Sequence, residues 1–186
     1  MVRCGWCLST PDYIEYHDLE WGRPVHGDVA LFERITLEAF QSGLSWLAIL
    51  RKRENFRAAF AGFDIDAVAQ FDEGDVERLM NDAGIVRNRR KIDATITNAK
   101  AARDLRDSDG YGALDALIWS FAPDQSTRPP RPCDLSQLPS QTAESNALSK
   151  ELKRNGFVFV GPITMYAAMQ ACGLVDDHVA DCHLAS

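Results

Sequence analysis

Four residues near the two ends of the chain carry side chains suited to a metal: Cys4 and His17 at one end, His178 and Cys182 at the other. His178 and Cys182 lie four positions apart, which brings both side chains to one face of a helix or into one tight turn. A Cys2His2 set suits tetrahedral zinc, and no particular separation is needed between its two ligand pairs. Such a clip would close a loop of roughly 160 residues and remove unfolded-state entropy worth on the order of several kcal/mol. Four protein ligands leave no open position for an activated water, so the ion would be structural and the chemistry would lie elsewhere. The same residues also read as free thiols and solvated histidines, and Cys7 and His183 are rival ligands.

Glu38 is the second residue of chemical interest. It falls seven positions after Leu31 and three after Ile35, beside the apolar stripe of a helix. One reading puts it at the edge of that stripe, reaching water or pairing with Arg34 or Arg57. Another comes from Trp6, Tyr13, Tyr16, Trp21 and Trp46, large aromatics that all fall within the first 46 residues. Some of these belong in any core, yet aromatic faces and one carboxylate in a desolvated pocket also attract a flat cation. An N-alkylated purine is such a cation.

The elements that must position these groups read as helices, with apolar residues at three- and four-residue steps. Asp28 stands where it can cap a helix through Ile35 to Gly43, and Ser45 where it can cap the next, to about Phe60. Asp75 opens a third helix that stops at Gly84, and a fourth starts near Asn88. Further helices are expected over 114–121, 144–155 and 162–172, the last with Pro162 near its start. Only Phe157 to Val160 looks strand-like, and the proline-rich stretch from Ala122 to Thr142 reads as an exposed loop. No internal repeat is apparent.

Composition narrows the class. A hydrophobic fraction of 46%, a charged fraction of 25% and 186 residues suit one soluble unit, with no apolar run long enough for a membrane span. Nothing at the start resembles an export signal, which points to the cytoplasm, and five cysteines in a reducing compartment point to metal binding or packing. A net charge of -7 argues against coating nucleic acid by bulk attraction, so any DNA contact must be local. The turn at Ala83, Gly84 and Ile85, with Arg87, Arg89, Arg90 and Lys91 following, could present backbone amides to a phosphate, or could be an ordinary turn before a solvated basic helix. Arg51, Lys52 and Arg53 have the same two readings. Gly43 and Leu44 could fill the space left by an extruded base, Leu44 being otherwise a core residue. Lys91 also raises strand cleavage through a Schiff base.

Several stretches closely resemble the bacterial 3-methyladenine DNA glycosylase I family. They are Cys4-Gly-Trp6, the run from Tyr13 to Gly22, Leu37 to Trp46, Asn81 to Arg87, Gly156 to Gly161, and Met169 to His178. The match covers nearly the whole chain. It implies an all-α helix-hairpin-helix glycosylase fold, one unit over 1–186 with two helical lobes around a base pocket and the hairpin at about 75–104. It also implies one structural zinc held by Cys4, His17, His178 and Cys182. The base would be read by Glu38, Tyr16 and Trp46, with Trp6, Tyr13 and Trp21 lining or supporting the pocket. No counterpart of the catalytic Asp found in many such glycosylases is evident; Asp104 and Asp107 read as helix-end charges.

The activity so implied is hydrolysis of the N-glycosidic bond of 3-methyladenine in double-stranded DNA by a monofunctional, monomeric enzyme. On this expectation the nucleotide would flip out, its base would lie between Tyr16 and Trp46 and meet Glu38, and Gly43, Leu44, Gly84 and Arg87 would contact DNA. Free 3-methyladenine leaves as product, with no membrane partner. A non-catalytic zinc-bearing module that recognises damaged DNA is the alternative.

Overall fold

A computed structural model of the chain describes residues 1–124, 126 and 130–185. Among them all regular structure is helical: α1 (Pro11–Leu19), α2 (Asp28–Gln41), α3 (Trp46–Ala59), α4 (Ile65–Ala69), α5 (Glu73–Asn81), α6 (Arg89–Asp109), α7 (Ala113–Trp119), α8 (Ala143–Arg154) and α9 (Pro162–Ala171). Short 3-10 turns at Gly5–Cys7, Ala61–Phe63 and Leu135–Gln137 join them.

The α2 helix is the organising element, in contact with α3, α6, α7 and α9. Its apolar residues leave no solvent face over its second half, where every residue from Ile35 to Phe40 is buried. Phe40 packs on Phe56 with ring centres 4.7 Å apart, and Phe60 continues the stack to Phe63 at 5.7 Å. This aromatic column pins α2 to α3. A substitution such as Phe56→Ala would open the column and cost about 3–5 kcal/mol.

Local capping chemistry sets the boundaries. Ser45 caps α3 by accepting a hydrogen bond from Ala48 N at 3.3 Å, and Asn88 caps α6 by accepting from Lys91 N at 3.3 Å. Asp72 caps α5 in a reciprocal box in which Asp75 is the third helical residue, so the helix starts before the position read from Asp75 alone. Asp28 departs from expectation more clearly. It is the first residue of α2, and its carboxylate accepts from Gly112 N at 3.0 Å and Asp115 N at 2.9 Å, so it caps α7 instead of its own helix.

The stretch from Phe157 to Val160 forms no strand. Asn98 on α6 pairs with both backbone groups of Val158, at 3.0 and 2.8 Å, and Ser149 donates to Val160 O at 2.6 Å. These bonds satisfy the backbone without a neighbouring strand. Within the proline-rich segment, Gln125, Thr127, Arg128 and Pro129 lie outside the described residues, while 135–138 folds back over the molecule and contributes to the site below.

Candidate active site and metal centre

A cavity of about 240 Å3 lies between α1, α2, the start of α3 and α9. Trp6, Tyr13, Tyr16, Trp21, Glu38 and Trp46 all line it, together with Gln41, Leu135, Leu138, Ala167 and Gln170. The volume is below the roughly 300–1,000 Å3 of drug-sized pockets and suits a single flat ring system. The aromatic groups are locked against one another: Trp6 meets Tyr13 edge-on at 4.8 Å and Trp21 at 5.2 Å, and Tyr16 lies 5.6 Å from Trp46. Trp46 Nε1 is buried without a hydrogen-bond partner.

Glu38 sits in the wall of this cavity, 5% exposed, on the last full turn of α2. No ion pair joins it among the described residues: Arg57 pairs with Glu33 and Glu54, and Arg34 donates to Glu20 at 3.0 Å. The reading of Glu38 as a snorkelling or paired surface carboxylate is therefore overturned. Burial lifts its carboxyl to about 8, although the Arg34 charge pulls the other way. The same burial, aided by Glu38, pushes the Tyr16 phenol well above its ordinary value, so that group stays a neutral donor.

At the chain ends, Cys4, His17 and Cys182 are buried with their donor atoms all within 4.8 Å of one another. The Cys182 sulfur is 3.5 Å from His17 Nε2. His178 falls outside that tight set, but its ring lies 5.1 Å from that of His17 and its Nε2 is buried without a partner. Both histidines are oriented from behind. His17 Nδ1 lies 2.8 Å from Asp18 and His178 Nδ1 lies 2.7 Å from Asp176, which leaves each Nε2 as the nitrogen that could ligate a metal. Gly22 packs against His178, where a Cβ would come within 2.7 Å of its Cε1. Without a cation, burial pushes the Cys4 thiol up to about 12 and His17 down, so a thiolate here needs a positive neighbour. The donor set thus fits a thiophilic metal. The rival ligands lie outside the tight set: Cys7 Sγ donates to Cys4 O at 3.1 Å, and His183 Nδ1 lies 2.8 Å from Val2 O with its Nε2 3.7 Å from Asp18.

Among the DNA-facing candidates, Gly43 (φ +83°) and Leu44 form the tip between α2 and α3, and Leu44 is 45% exposed, which removes the core reading. In the 82–88 turn, Gly84 N already donates to Asp82 at 2.7 Å, and Lys52 donates to Ala83 O and Gly84 O. The amide of Gly84 is therefore occupied, while Arg87 and Arg90 beside it are exposed. Arg89 pairs with Glu73, Arg51 with Asp12 and Arg53 with Glu20. Lys91 is not a surface base at all: it is buried, and Nζ donates to Phe40 O at 2.8 Å and Ser42 O at 2.7 Å.

Sequence reasoning missed Gln41, Leu135, Leu138, Ala167 and Gln170. Gln41 was within reach, one turn beyond Glu38 on the same helix face. The leucines come from a loop whose path no periodicity encodes.

The arrangement has close relatives. The family model for methyladenine glycosylase matches residues 6–185. DNA-3-methyladenine glycosylase 1 of Escherichia coli is 50% identical over 182 residues, covering 98% of this chain and 96% of that protein. A crystal structure of 3-methyladenine DNA glycosylase I superposes with a TM-score of 0.90 at 45% identity, covering 98% of this chain and 99% of the other. The structure describing 3-methyladenine recognition by 3-methyladenine DNA glycosylase I from Staphylococcus aureus gives 0.88 at 34% identity, covering 97% and 95%. With sequence and fold both matched from end to end, this chain belongs to the methyladenine glycosylase family.

Proposed function

We infer that the protein is a DNA-3-methyladenine glycosylase that releases the damaged base through the pocket around Glu38. The relatives' names support the enzyme over a non-catalytic recognition module. The observation that carries the site assignment is a buried carboxyl that forms no ion pair among the described residues, set in a wall of aromatic rings. Methylation at N3 gives adenine the positive charge that this wall lacks. Tyr16 and Trp46 sandwich the flipped base, and Glu38 accepts hydrogen bonds from its amino edge. The C1′–N9 electron pair leaves with the base and cancels its charge. Water adds to C1′ and loses a proton, leaving an abasic site and neutral 3-methyladenine.

Because the cationic base becomes neutral as it takes the bonding pair, the site needs little acid assistance. Binding the cation draws Glu38 to its ionised form and expels its proton. Leu44 occupies the gap left in the duplex, Gly43 permits the left-handed tip that presents it, and Arg87 with the 82–88 turn, a helix-hairpin-helix element, holds the phosphate backbone of double-stranded DNA. The substrate complex contains one copy of the chain. Cys4, His17, His178 and Cys182 hold one zinc ion, which supplies no reacting group and ties the chain ends together. No helix among the described residues is long and apolar enough to cross a membrane.

Chromatography of bases released from methylated duplex DNA tests this reading directly. The wild type releases 3-methyladenine, whereas Glu38→Ala and Glu38→Gln bind zinc and fold but release little. Equal release by all three would remove Glu38 from the mechanism. Metal analysis should return one zinc per chain, lost when His17 or Cys182 is replaced.

A further inference from the structure

The side chains between the metal-ligating cluster and the base pocket belong to both. Trp6, Trp21 and Leu135 pack against buried Cys4, Val179 and Cys182 on one side, and line the pocket on the other. The Trp6 ring lies 5.4 Å from that of His17, and the Trp21 ring 4.7 Å from that of His178. A ligand histidine that turned away would therefore unseat a pocket wall.

A polar connection runs in parallel. Asp176 lies 2.7 Å from His178 Nδ1 through one oxygen and accepts from Arg131 Nη2 at 2.6 Å through the other. One residue beyond Arg131, the Pro132 carbonyl accepts from Ala180 N at 2.8 Å, between His178 and Cys182 in sequence. Asp134 then accepts from Ser136 N at 2.7 Å and so starts the turn that carries Leu135, with Leu138 just after it. The loop that closes the pocket is thus held at two points by the segment that bears two metal ligands.

We propose that the metal centre and the base pocket form one coupled unit, in which Asp176 and Arg131 carry the placement of His178 to Leu135 and Leu138, so that bound metal and bound base each strengthen the other. This rests on reading the quartet as a zinc site and the cavity as the base site. Arg131 is a positioning residue, since it acts on His178 through Asp176. Coupling of this kind is reciprocal, and one factor describes both directions.

The test measures that factor twice, with free 3-methyladenine as the probe. Tryptophan fluorescence gives base affinity for zinc-loaded and zinc-stripped protein, and chelator competition gives zinc affinity with and without saturating base. The expected factor is about tenfold in each direction. Arg131→Met keeps stoichiometric zinc but brings the factor below about threefold, under the roughly fivefold lower end of typical coupling. If the stripped protein unfolds, base affinity is compared instead between zinc-loaded wild type and zinc-loaded Arg131→Met, where weaker binding by the variant is expected and equal binding overturns the coupling. Zinc affinity indifferent to saturating base, or a full factor in Arg131→Met, overturns the coupling while leaving both sites standing. Loaded protein that binds no base, or protein that takes up no zinc, defeats the underlying site reading and the coupling with it.

Discussion

Glu38 and Lys91 are both ionisable and both buried, on helices that pack together, and the fold treats them in opposite ways. Lys91 donates to two carbonyls at the C-terminal end of α2, where the helix dipole also favours a cation. Glu38, one turn earlier on that helix, has no ion-pair partner among the described residues and faces a cavity. Burial alone does not mark a functional site. What separates the two is whether the protein completes the group's interactions or leaves them to something else.

The sharpest way to break the comparison is at Glu38. Glu38→Ala and Glu38→Gln should lower single-turnover excision from methylated duplex by about 10²–10³-fold, the scale of losing one preorganised electrostatic contact, with no loss of thermal stability. Lys91→Met should do the reverse, costing about 2–3 kcal/mol in urea unfolding by stranding two buried carbonyls. Excision by its folded fraction should fall less than in the Glu38 variants. If the Lys91 variant kept full stability, the distinction between the two groups would collapse.

The titration of Glu38 sharpens the contrast further. Its folded carboxyl, near 8, lies above the ordinary 4.5, so the folded state holds a proton that the unfolded chain gives up. Stability from this group is complete below about 4.5 and is lost as pH rises towards 8. The slope is at most about 1.4 kcal/mol per pH unit, and Glu38→Gln should flatten it. For the same reason kcat/KM on a permanently cationic substrate should climb with pH and level off near 8. Leu44→Ala comes next, with a loss of about 1 kcal/mol, or several-fold, in kcat/KM on duplex DNA and unchanged affinity for the free base. The smallest expectation is none at all: borohydride should trap no covalent adduct, because Lys91 Nζ is already occupied.

Much of this was legible from the chain. Ser45 and Asn88 announced their helices because a cap is a local bond between residues three apart. Asp28 misled because its acceptor oxygens serve amides of Gly112 and Asp115, far along the sequence. Phe157 to Val160 carried strand-like residues, but Asn98 and Ser149 meet its backbone from two helices, and no local pattern encodes that. The α1 helix carries no periodic signal, since it has polar and apolar residues on every side and draws its order from the aromatic and histidine contacts of Tyr16 and His17. Within the site, the aromatic residues and Glu38 could be gathered by composition and helical phase. The contributions of Leu135 and Leu138 depend on a loop fixed by Asp176, Ala180 and its own Asp134 cap, and tertiary contacts alone reveal them.

One backbone bond near the chain ends has a topological consequence. His183 N donates to Val2 O at 2.9 Å, so the two ends of the described chain lie side by side. A circular permutant joined there and opened at the exposed α6–α7 turn beside Tyr111 would turn the most distant ligand pairing in the sequence into a local one. Local contacts form sooner during folding. In that rearranged chain the metal site would form earlier in assembly, with the finished architecture unchanged.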